Sequence, residues 1–248
     1  MTLAIIGGSG LAALKGLEIN RQQMQPTPYG EPSGPLTFGF LNNKEVVFLP
    51  RHGNPHVIPP HKINYRANIW ALKKNGVDRI IGVNAVGGIT GEMYPGRIVI
   101  PDQIIDYTWG RRHSYYEEDI SEVTHINFTR PYSDTIRSKL IDTAGTIDLD
   151  IAGEGTYGAT QGPRLETAAE IRRMERDGCD LVGMTGMPET ALARELDLAY
   201  ASISVVANRA AGKSDEEITL DMIEKNLSTG IRDVRKLLEA SIPVILSD

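Results

Sequence analysis

Residues 162–213 constrain the fold of this chain most strongly, because their pattern alternates between helix and strand. Gly178 suits the position just after a helix end, and Pro188 suits a first helical turn. The predicted order is a helix with an apolar face at Ala168, Ile171 and Met174, a strand at 180–184, a helix with an apolar face at Ala191, Leu192 and Leu196, and a strand at 200–207. Alternation of this kind predicts an α/β fold.

Polar residues stand where these predicted strands end or helices begin, namely Glu166, Thr185 and Asn208. In α/β sheets, ligands bind in the crevice at the ends of the strands. We therefore expect these three side chains to face one small polar ligand, with the rest of the chain completing the pocket.

The bulk composition limits the function classes open to the chain. It has 248 residues, 41% hydrophobic content and a net charge of −6, so it can form a core but has no basic excess for nucleic acid. Cys179 is the single cysteine, which excludes an internal disulfide and favours a reducing compartment. No apolar run has the length of a membrane span, and the sequence begins without a targeting signature. We expect one cytoplasmic domain over residues 1–248, with no nucleic-acid or membrane partner.

A glycine-rich turn, Gly7-Gly8-Ser9-Gly10, follows a predicted strand at 3–6. Its backbone N–H groups and the Ser9 hydroxyl are suited to an anion, although a simple tight turn is the alternative. The turn also fits the dinucleotide fingerprint G-x-G-x-x-A. That motif requires a βαβ unit, whereas residues 36–41 and 45–49, joined by Asn42-Asn43, predict a β-hairpin. An NAD-binding oxidoreductase is therefore disfavoured.

Two further strand ends carry candidate ligand-binding groups. Arg51 and His52 follow the hairpin and offer a charged fork and a second donor. A strand at 79–83 leads into residues 84–88, which we interpret as a second glycine turn with free backbone donors. His52, His56 and His61 match no helix face and have no nearby carboxylate or cysteine, so we predict no metal site.

The remaining segments complete the predicted architecture. Helices are predicted at 65–75 and 133–144, and strands at 96–100 and 155–160. The long irregular segment at 107–132 is typical of a functional loop or an interface. From residue 220 onward the chain predicts an amphipathic helix, and most of its stripe should be core, with apolar residues at Leu220, Ile223, Leu227, Ile231, Val234 and Leu238.

Six motifs, taken in order, resemble the trimeric purine nucleoside phosphorylase and methylthioadenosine phosphorylase family, and the methylthioinosine phosphorylase branch is the most similar. They are residues 7–11, 51–53, 83–88, 162–166, 183–189 and 202–208. The resemblance implies a single α/β domain, with a central mixed β-sheet flanked by helices, that assembles as a homotrimer. It also implies reversible phosphorolysis of a purine nucleoside, with inorganic phosphate as co-substrate and no cofactor.

The resemblance assigns the site residues as follows. Phosphate would be held by Ser9, Arg51, His52, Asn84, Ala85 and Thr185. The nucleoside would be bound by Leu165, Glu166, Met184, Asn208, Ala210, Leu220 and Ile223, with His125 reaching in from a neighbouring subunit. Asn208 and His52 are the predicted catalytic residues.

Differences within the family suggest the substrate. Methylthioadenosine phosphorylases typically carry Asp and Ser where Asn208 and Glu166 stand here. An amide that donates to O6 or N7 and a carboxylate that accepts from N1–H suit a 6-oxopurine. Purine nucleoside phosphorylases usually have a histidine for the 5′-hydroxyl at the start of the last helix, but residues 215–223 contain none. This favours a 5′-methylthio group against Leu220 and Ile223.

The sequence thus predicts a methylthioinosine phosphorylase. A methylthioadenosine phosphorylase or a general inosine and guanosine phosphorylase is the alternative within the family. The alternatives from other classes are the oxidoreductase and a nucleoside-binding module without catalysis.

Overall fold

A computed structural model describes residues 2–8, 11, 16–118, 122–215 and 219–247. In these parts of the chain, eleven strands form one sheet. The strands are β1 (Leu3–Gly7), β2 (Glu18–Gln23), β3 (Leu36–Leu41), β4 (Lys44–Pro50), β5 (Arg79–Gly88), β6 (Ile98–Val99), β7 (Gln103–Asp106), β8 (Ile151–Ala152), β9 (Thr156–Ala159), β10 (Leu181–Gly183) and β11 (Ala199–Arg209). The helices are α1 (Tyr65–Lys74), α2 (Asp134–Thr146), α3 (Ala168–Arg176), α4 (Gly186–Glu195) and α5 (Leu220–Ile245).

The central strand is β5, and its neighbours make the sheet mixed. β1 pairs parallel with the first half of β5, and β11 runs parallel along the whole of it. β10 pairs antiparallel with the far end of β5, where Leu181 lies opposite Gly88. Helices cover the sheet, so the predicted α/β fold with a central mixed sheet is confirmed.

Alternating residues of β1 show why the sheet is covered on both faces. Leu3 and Ile5 pack into a cluster with residues of α2 and α5, whereas Ala4 and Ile6 pack with residues of α1 and α4. Strands buried on both faces have continuous apolar sequences. Full burial of each large aliphatic side chain contributes about 1.5–3 kcal/mol.

The hairpin and the helix ends follow the sequence signals. Asn42 and Asn43 both have positive φ, at 49° and 58°, and join β3 to β4 as a tight turn. Thr167 and Glu170 form a reciprocal capping box that starts α3 immediately after Glu166. Gly178 has a φ of 94° just beyond the end of α3, as predicted.

The prediction of a second glycine turn at residues 84–88 is wrong. These residues continue β5, and they pair with β11 and β10. The glycines serve close packing instead, because a Cβ on Gly88 would collide with the carbonyl oxygen of Met93. Gly in a strand can signal such an approach as well as a turn.

Several short or exposed strands were not predicted. β2 is exposed along its whole length and has no apolar alternation, and β7 and β8 have only four and two residues. The strand predicted at 96–100 shortens to Ile98–Val99. Within 107–118 and 122–132 the chain forms neither helix nor strand, as predicted.

The last helix, α5, packs its apolar stripe into the core. Leu227, Ile231, Val234 and Leu238 are buried, as the helical spacing predicted. No helix within the described residues has the length and apolar character needed to cross a membrane.

Candidate active site

One cavity collects most of the predicted site residues. Its walls come from the far halves of β5 and β11, from β10 and the turn after it, and from the connections that follow β4 and β9. The predicted residues that line it are Arg51, His52, Asn84, Ala85, Leu165, Glu166, Met184, Thr185, Asn208, Ala210 and Ile223.

Three predicted site residues are not among those lining this cavity. Ser9 and the side chain of Leu220 lie outside the described residues. His125 is exposed and does not line the cavity of its own chain. Gly8 does line it, and a Cβ on Gly8 would lie 2.6 Å from the Val83 carbonyl oxygen and 2.8 Å from Arg51 Nη1.

Arg51 is fully buried, and its guanidinium forms a bidentate pair with the equally buried Glu189. Nε donates to Oε2 at 2.6 Å and Nη2 donates to Oε1 at 2.7 Å, while Nη1 donates to the Val83 carbonyl at 2.8 Å. Burial alone would lower the pKa of Arg51, but the attraction and hydrogen bonds of Glu189 outweigh it and raise the pKa. Tyr200 also donates to Glu189 Oε1. The fork is therefore charged and rigid, and one hydrogen on each of Nη1 and Nη2 remains for a ligand.

His52 is a neutral imidazole whose tautomer follows from its partner. Its Nδ1 lies 2.8 Å from the Ile58 carbonyl oxygen, which can only accept, so Nδ1 carries the proton. Burial, and then the charge of Arg51, lowers the pKa of His52 to about 4. Near neutral pH, Nε2 is therefore an acceptor rather than the donor that the sequence suggested.

Thr185 and Asn84 belong to a buried polar network beneath the cavity. The Thr185 hydroxyl donates to Asn84 Oδ1 at 2.8 Å, and Asn84 Nδ2 donates to the Ser202 hydroxyl at 2.7 Å. Thr185 is the N-cap residue of α4 and its side chain makes no capping bond. The backbone that follows is not yet regular helix, because Met187 has φ −116° and ψ 141°.

Glu166 and Asn208 also line the cavity. The Thr160 hydroxyl donates to Glu166 Oε1 at 2.6 Å, which leaves Oε2 as an acceptor for a ligand. Asn208 lies in β11 just after a register shift in its pairing with β5. Its Nδ2 donates one hydrogen to the Arg209 carbonyl at 2.6 Å and retains a second hydrogen.

Apolar side chains complete the cavity. Met184 and Ile223 line it, and Leu165, which is 46% exposed, stands at its edge. Asn226 donates to the Ala207 carbonyl at 2.9 Å and so ties the first turns of α5 to β11.

Two supporting residues were missed by sequence reasoning. Glu189 belongs to the motif at residues 183–189, but a glutamate in a first helical turn is usually exposed and interacts favourably with the helix dipole. Thr160 carried no signal of its own. In the described parts of the chain, no three His, Cys, Asp or Glu side chains converge as metal ligands would.

The fold and the cavity agree with the comparisons with known proteins. A model of the phosphorylase superfamily matches residues 2–243, so the chain belongs to that superfamily. The sequence-based prediction of a nucleoside phosphorylase enzyme is confirmed at this level.

Two relatives and one solved structure illustrate the similarity. The chain is 52% identical to a probable S-methyl-5′-thioinosine phosphorylase of Pseudomonas syringae, over 95% of this chain and 96% of the relative. It is 47% identical to a 6-oxopurine nucleoside phosphorylase of Pyrococcus furiosus, over 98% of this chain and 92% of the relative. A methylthioadenosine phosphorylase of Schistosoma mansoni, solved with adenine, superposes with a TM-score of 0.95 at 33% identity, covering 100% of this chain and 92% of that one.

Proposed function

We propose that the chain cleaves S-methyl-5′-thioinosine with inorganic phosphate, giving hypoxanthine and 5-methylthioribose 1-phosphate. The observation that carries the proposal is one cavity that is lined both by Arg51, His52 and Thr185 and by Glu166 and Asn208. The name of the Pseudomonas syringae relative supports the same choice, and the name of the Pyrococcus furiosus relative supports a 6-oxopurine base.

The proposed reaction needs no protein nucleophile. A phosphate oxygen forms a bond to C1′ of the sugar while the bond from C1′ to N9 breaks, and the bonding electrons leave with the purine. The remaining Arg51 hydrogens hold the anion in position beside Thr185. Nε2 of His52 accepts the hydrogen of the phosphate hydroxyl, and the backbone of β5 at Ala85 borders the phosphate.

The base side of the site explains the preference for a 6-oxopurine. Oε2 of Glu166 accepts from N1–H, which exists only in the oxo tautomer, while Asn208 Nδ2 donates to O6 or N7. Negative charge grows on the purine as it departs, and the Asn208 donor stabilises it. Met184 lies under the sugar, Leu165 and Ala210 border the base, and Ile223 and Leu220 form the apolar wall for the methylthio group.

The deciding experiment compares kcat/KM for methylthioinosine, methylthioadenosine and inosine, each with and without phosphate. We expect methylthioinosine to be the best substrate, and its cleavage to require phosphate. A site with the wrong polar partner discriminates by up to about 10⁴-fold. Asn208→Asp should lower the ratio of kcat/KM for methylthioinosine to kcat/KM for methylthioadenosine. Faster cleavage of methylthioadenosine or inosine by the wild type would contradict the proposal.

We further propose that the active enzyme is a cytoplasmic homotrimer that uses no cofactor. Exposed apolar residues in the irregular segment support an interface there, with Trp109 71% and Val123 69% exposed. His125 lies two residues beyond Val123 and is free in a single chain to reach a neighbouring cavity. The single cysteine, which is unpaired and buried, suits a reducing compartment.

A further inference from the structure

Arg111 makes an unusual set of contacts for a residue of an irregular segment. Nε donates to the side-chain oxygen of Gln161 at 3.1 Å, and Nη2 donates to the backbone carbonyls of Thr160 and Gln161 at 3.1 and 2.8 Å. Nη1 donates to the carbonyls of Met184 and Met187 at 2.9 and 2.5 Å. All these partners are neutral oxygens, and together they occupy the five N–H groups of the fork.

The carbonyls belong to two walls of the active site. Met184 lines the cavity and begins the turn between β10 and α4, and Met187 lies in the non-helical first part of α4. Thr160 follows β9, and its hydroxyl holds Glu166 Oε1. One guanidinium therefore joins the wall beneath the sugar to the wall that carries the base-recognising carboxylate.

A third wall is connected through Tyr65. Arg111 Nη1 lies 3.3 Å from the Tyr65 hydroxyl, and its guanidinium lies over the Tyr65 ring at 5.5 Å. The same hydroxyl donates to the Pro60 carbonyl at 3.0 Å, and Pro60 lines the cavity.

The segment that carries Arg111 is itself anchored to α1. Arg66 pairs with Glu117 at 3.4 Å, and the Tyr115 hydroxyl donates to the Arg66 carbonyl at 2.8 Å. Arg111 thus projects from a fixed base rather than from a loose loop.

The two phosphate-binding side chains have buried partners of their own, although Thr185 directly follows Met184 in the chain. Arg51 is held by Glu189, and the Thr185 side chain is held by Asn84, which bonds Ser202 in turn. Removing Arg111 would leave these buried bonds in place.

From this geometry we infer that Arg111 is a positioning residue for the nucleoside half of the site. It fixes the wall beneath the sugar, and it fixes the Thr160–Glu166 pair that recognises the base. The inference rests on the proposed function. If a wall of the site is displaced, the reacting atoms are held in a less favourable position, although every group that touches the substrate is still present. Lysine cannot replace the fork, because its ammonium is a point charge that cannot span both walls.

The test compares Arg111→Met and Arg111→Lys with Arg112→Met. Arg112 is the matched control, because it is 63% exposed and its partners among the described residues are the exposed or half-buried side chains of Glu117 and Glu118. For both Arg111 variants we expect KM for methylthioinosine to rise and kcat/KM to fall by roughly 10- to 100-fold. KM for phosphate should rise by a smaller factor than KM for methylthioinosine, because the Arg51 and Thr185 side chains keep their own buried bonds. The ratio of kcat/KM for methylthioinosine over methylthioadenosine should also fall.

The outcomes separate this inference from the proposed function. If the wild type does not cleave methylthioinosine, the proposed function fails before any variant is compared. If the wild type is active but the Arg111 variants match Arg112→Met, the inference is wrong. Equal rises in both KM values together with a lower Tm would assign Arg111 to the fold alone, and so would insolubility of both variants.

Discussion

At the scale of single residues, the site residues could be predicted, but their partners could not. Ordered motifs identified Arg51, Glu166 and Asn208, because the chemistry of a nucleoside and a phosphate calls for those groups. The partner of Arg51 is 138 residues away in sequence, and no local pattern links the two. The sequence therefore suggested a free fork, whereas the structure shows one already held by Glu189.

The Arg51–Glu189 pair allows stability and phosphate binding to be tested separately. Arg51→Met leaves Glu189 buried without its counter-charge, which should lower the free energy of unfolding by about 3–5 kcal/mol. Adding Glu189→Gln removes the orphaned charge while keeping an acceptor for Tyr200, so much of the stability should return. KM for phosphate should stay raised by roughly 10- to 100-fold in both variants, since a hydrogen bond to a charged group contributes about 1.5–3 kcal/mol.

Denaturant unfolding and phosphate titrations measure the two quantities. Tyr132→Phe is a control in the same buried region, because it removes one hydroxyl whose ring stacks with Tyr200 and leaves the Arg51–Glu189 pair in place. An unchanged KM for phosphate in the double variant would show that Arg51 serves only the fold.

At the scale of elements, periodic and capped segments were predicted well, and glycine-rich or exposed ones were not. The apolar stripe of α5, the Asn-Asn hairpin and the end of α3 follow from spacing and turn chemistry. Residues 84–88 were interpreted as a turn because glycine permits both turns and close strand packing. Only the pairing partners, β10 and β11, distinguish the two, and sequence spacing does not reveal them.

The start of α5 carries the prediction for the sugar. Ile223 lines the cavity, and a 5′-hydroxyl against such an apolar wall would lose water partners at a cost of about 1–3 kcal/mol. We therefore expect the wild type to prefer methylthioinosine over inosine by roughly 5- to 150-fold in kcat/KM. Ile223→His should narrow that preference by donating to the hydroxyl, and Leu220→His is a companion variant.

Leu227→Met is the control variant, because Leu227 lies on the same helix but is buried in the core. Its kcat/KM is measured with the same two substrates. If the wild type prefers inosine to methylthioinosine, the prediction that an apolar wall selects the methylthio group is wrong.

At the scale of the whole molecule, the described part of the chain leaves large apolar side chains exposed. Trp109 and Val123 are exposed in a segment without regular structure, and Leu165 is half-exposed at the cavity edge. We expect a neighbouring subunit to cover them. The sequence pointed to this segment by its length, but only the resemblance suggested the number of subunits.

The proposed trimer is tested by mixing two variants, each of which should have impaired sites when it is alone. His125→Ala should impair sites that borrow this residue from a neighbour, and Asn208→Ala should impair sites within its own chain. Subunits exchanged between the two variants would reconstitute some intact sites, because the contacts repeat around a closed ring. We expect the mixture to exceed the activity of either variant, and sedimentation to give a trimer. An active monomer, or a mixture without any gain, would contradict the shared site.

The hydrogen bond from His52 to Ile58 has a consequence for the choice among oxyanions. Since Nδ1 is the donor in that bond, Nε2 is suited only to an anion that brings its own hydrogen. Arsenate carries a hydroxyl hydrogen at neutral pH and should replace phosphate in turnover, whereas sulfate has none and should inhibit only weakly. Because the pKa of His52 is lowered to about 4, this preference should persist unchanged from pH 8 to about pH 5.5 and weaken as the imidazole gains a proton. The test is to measure sulfate inhibition constants from pH 8 to about pH 5.5. They would show whether the Ile58 carbonyl, by fixing the His52 tautomer, lets the enzyme distinguish phosphate from sulfate, two tetrahedral anions of nearly equal size.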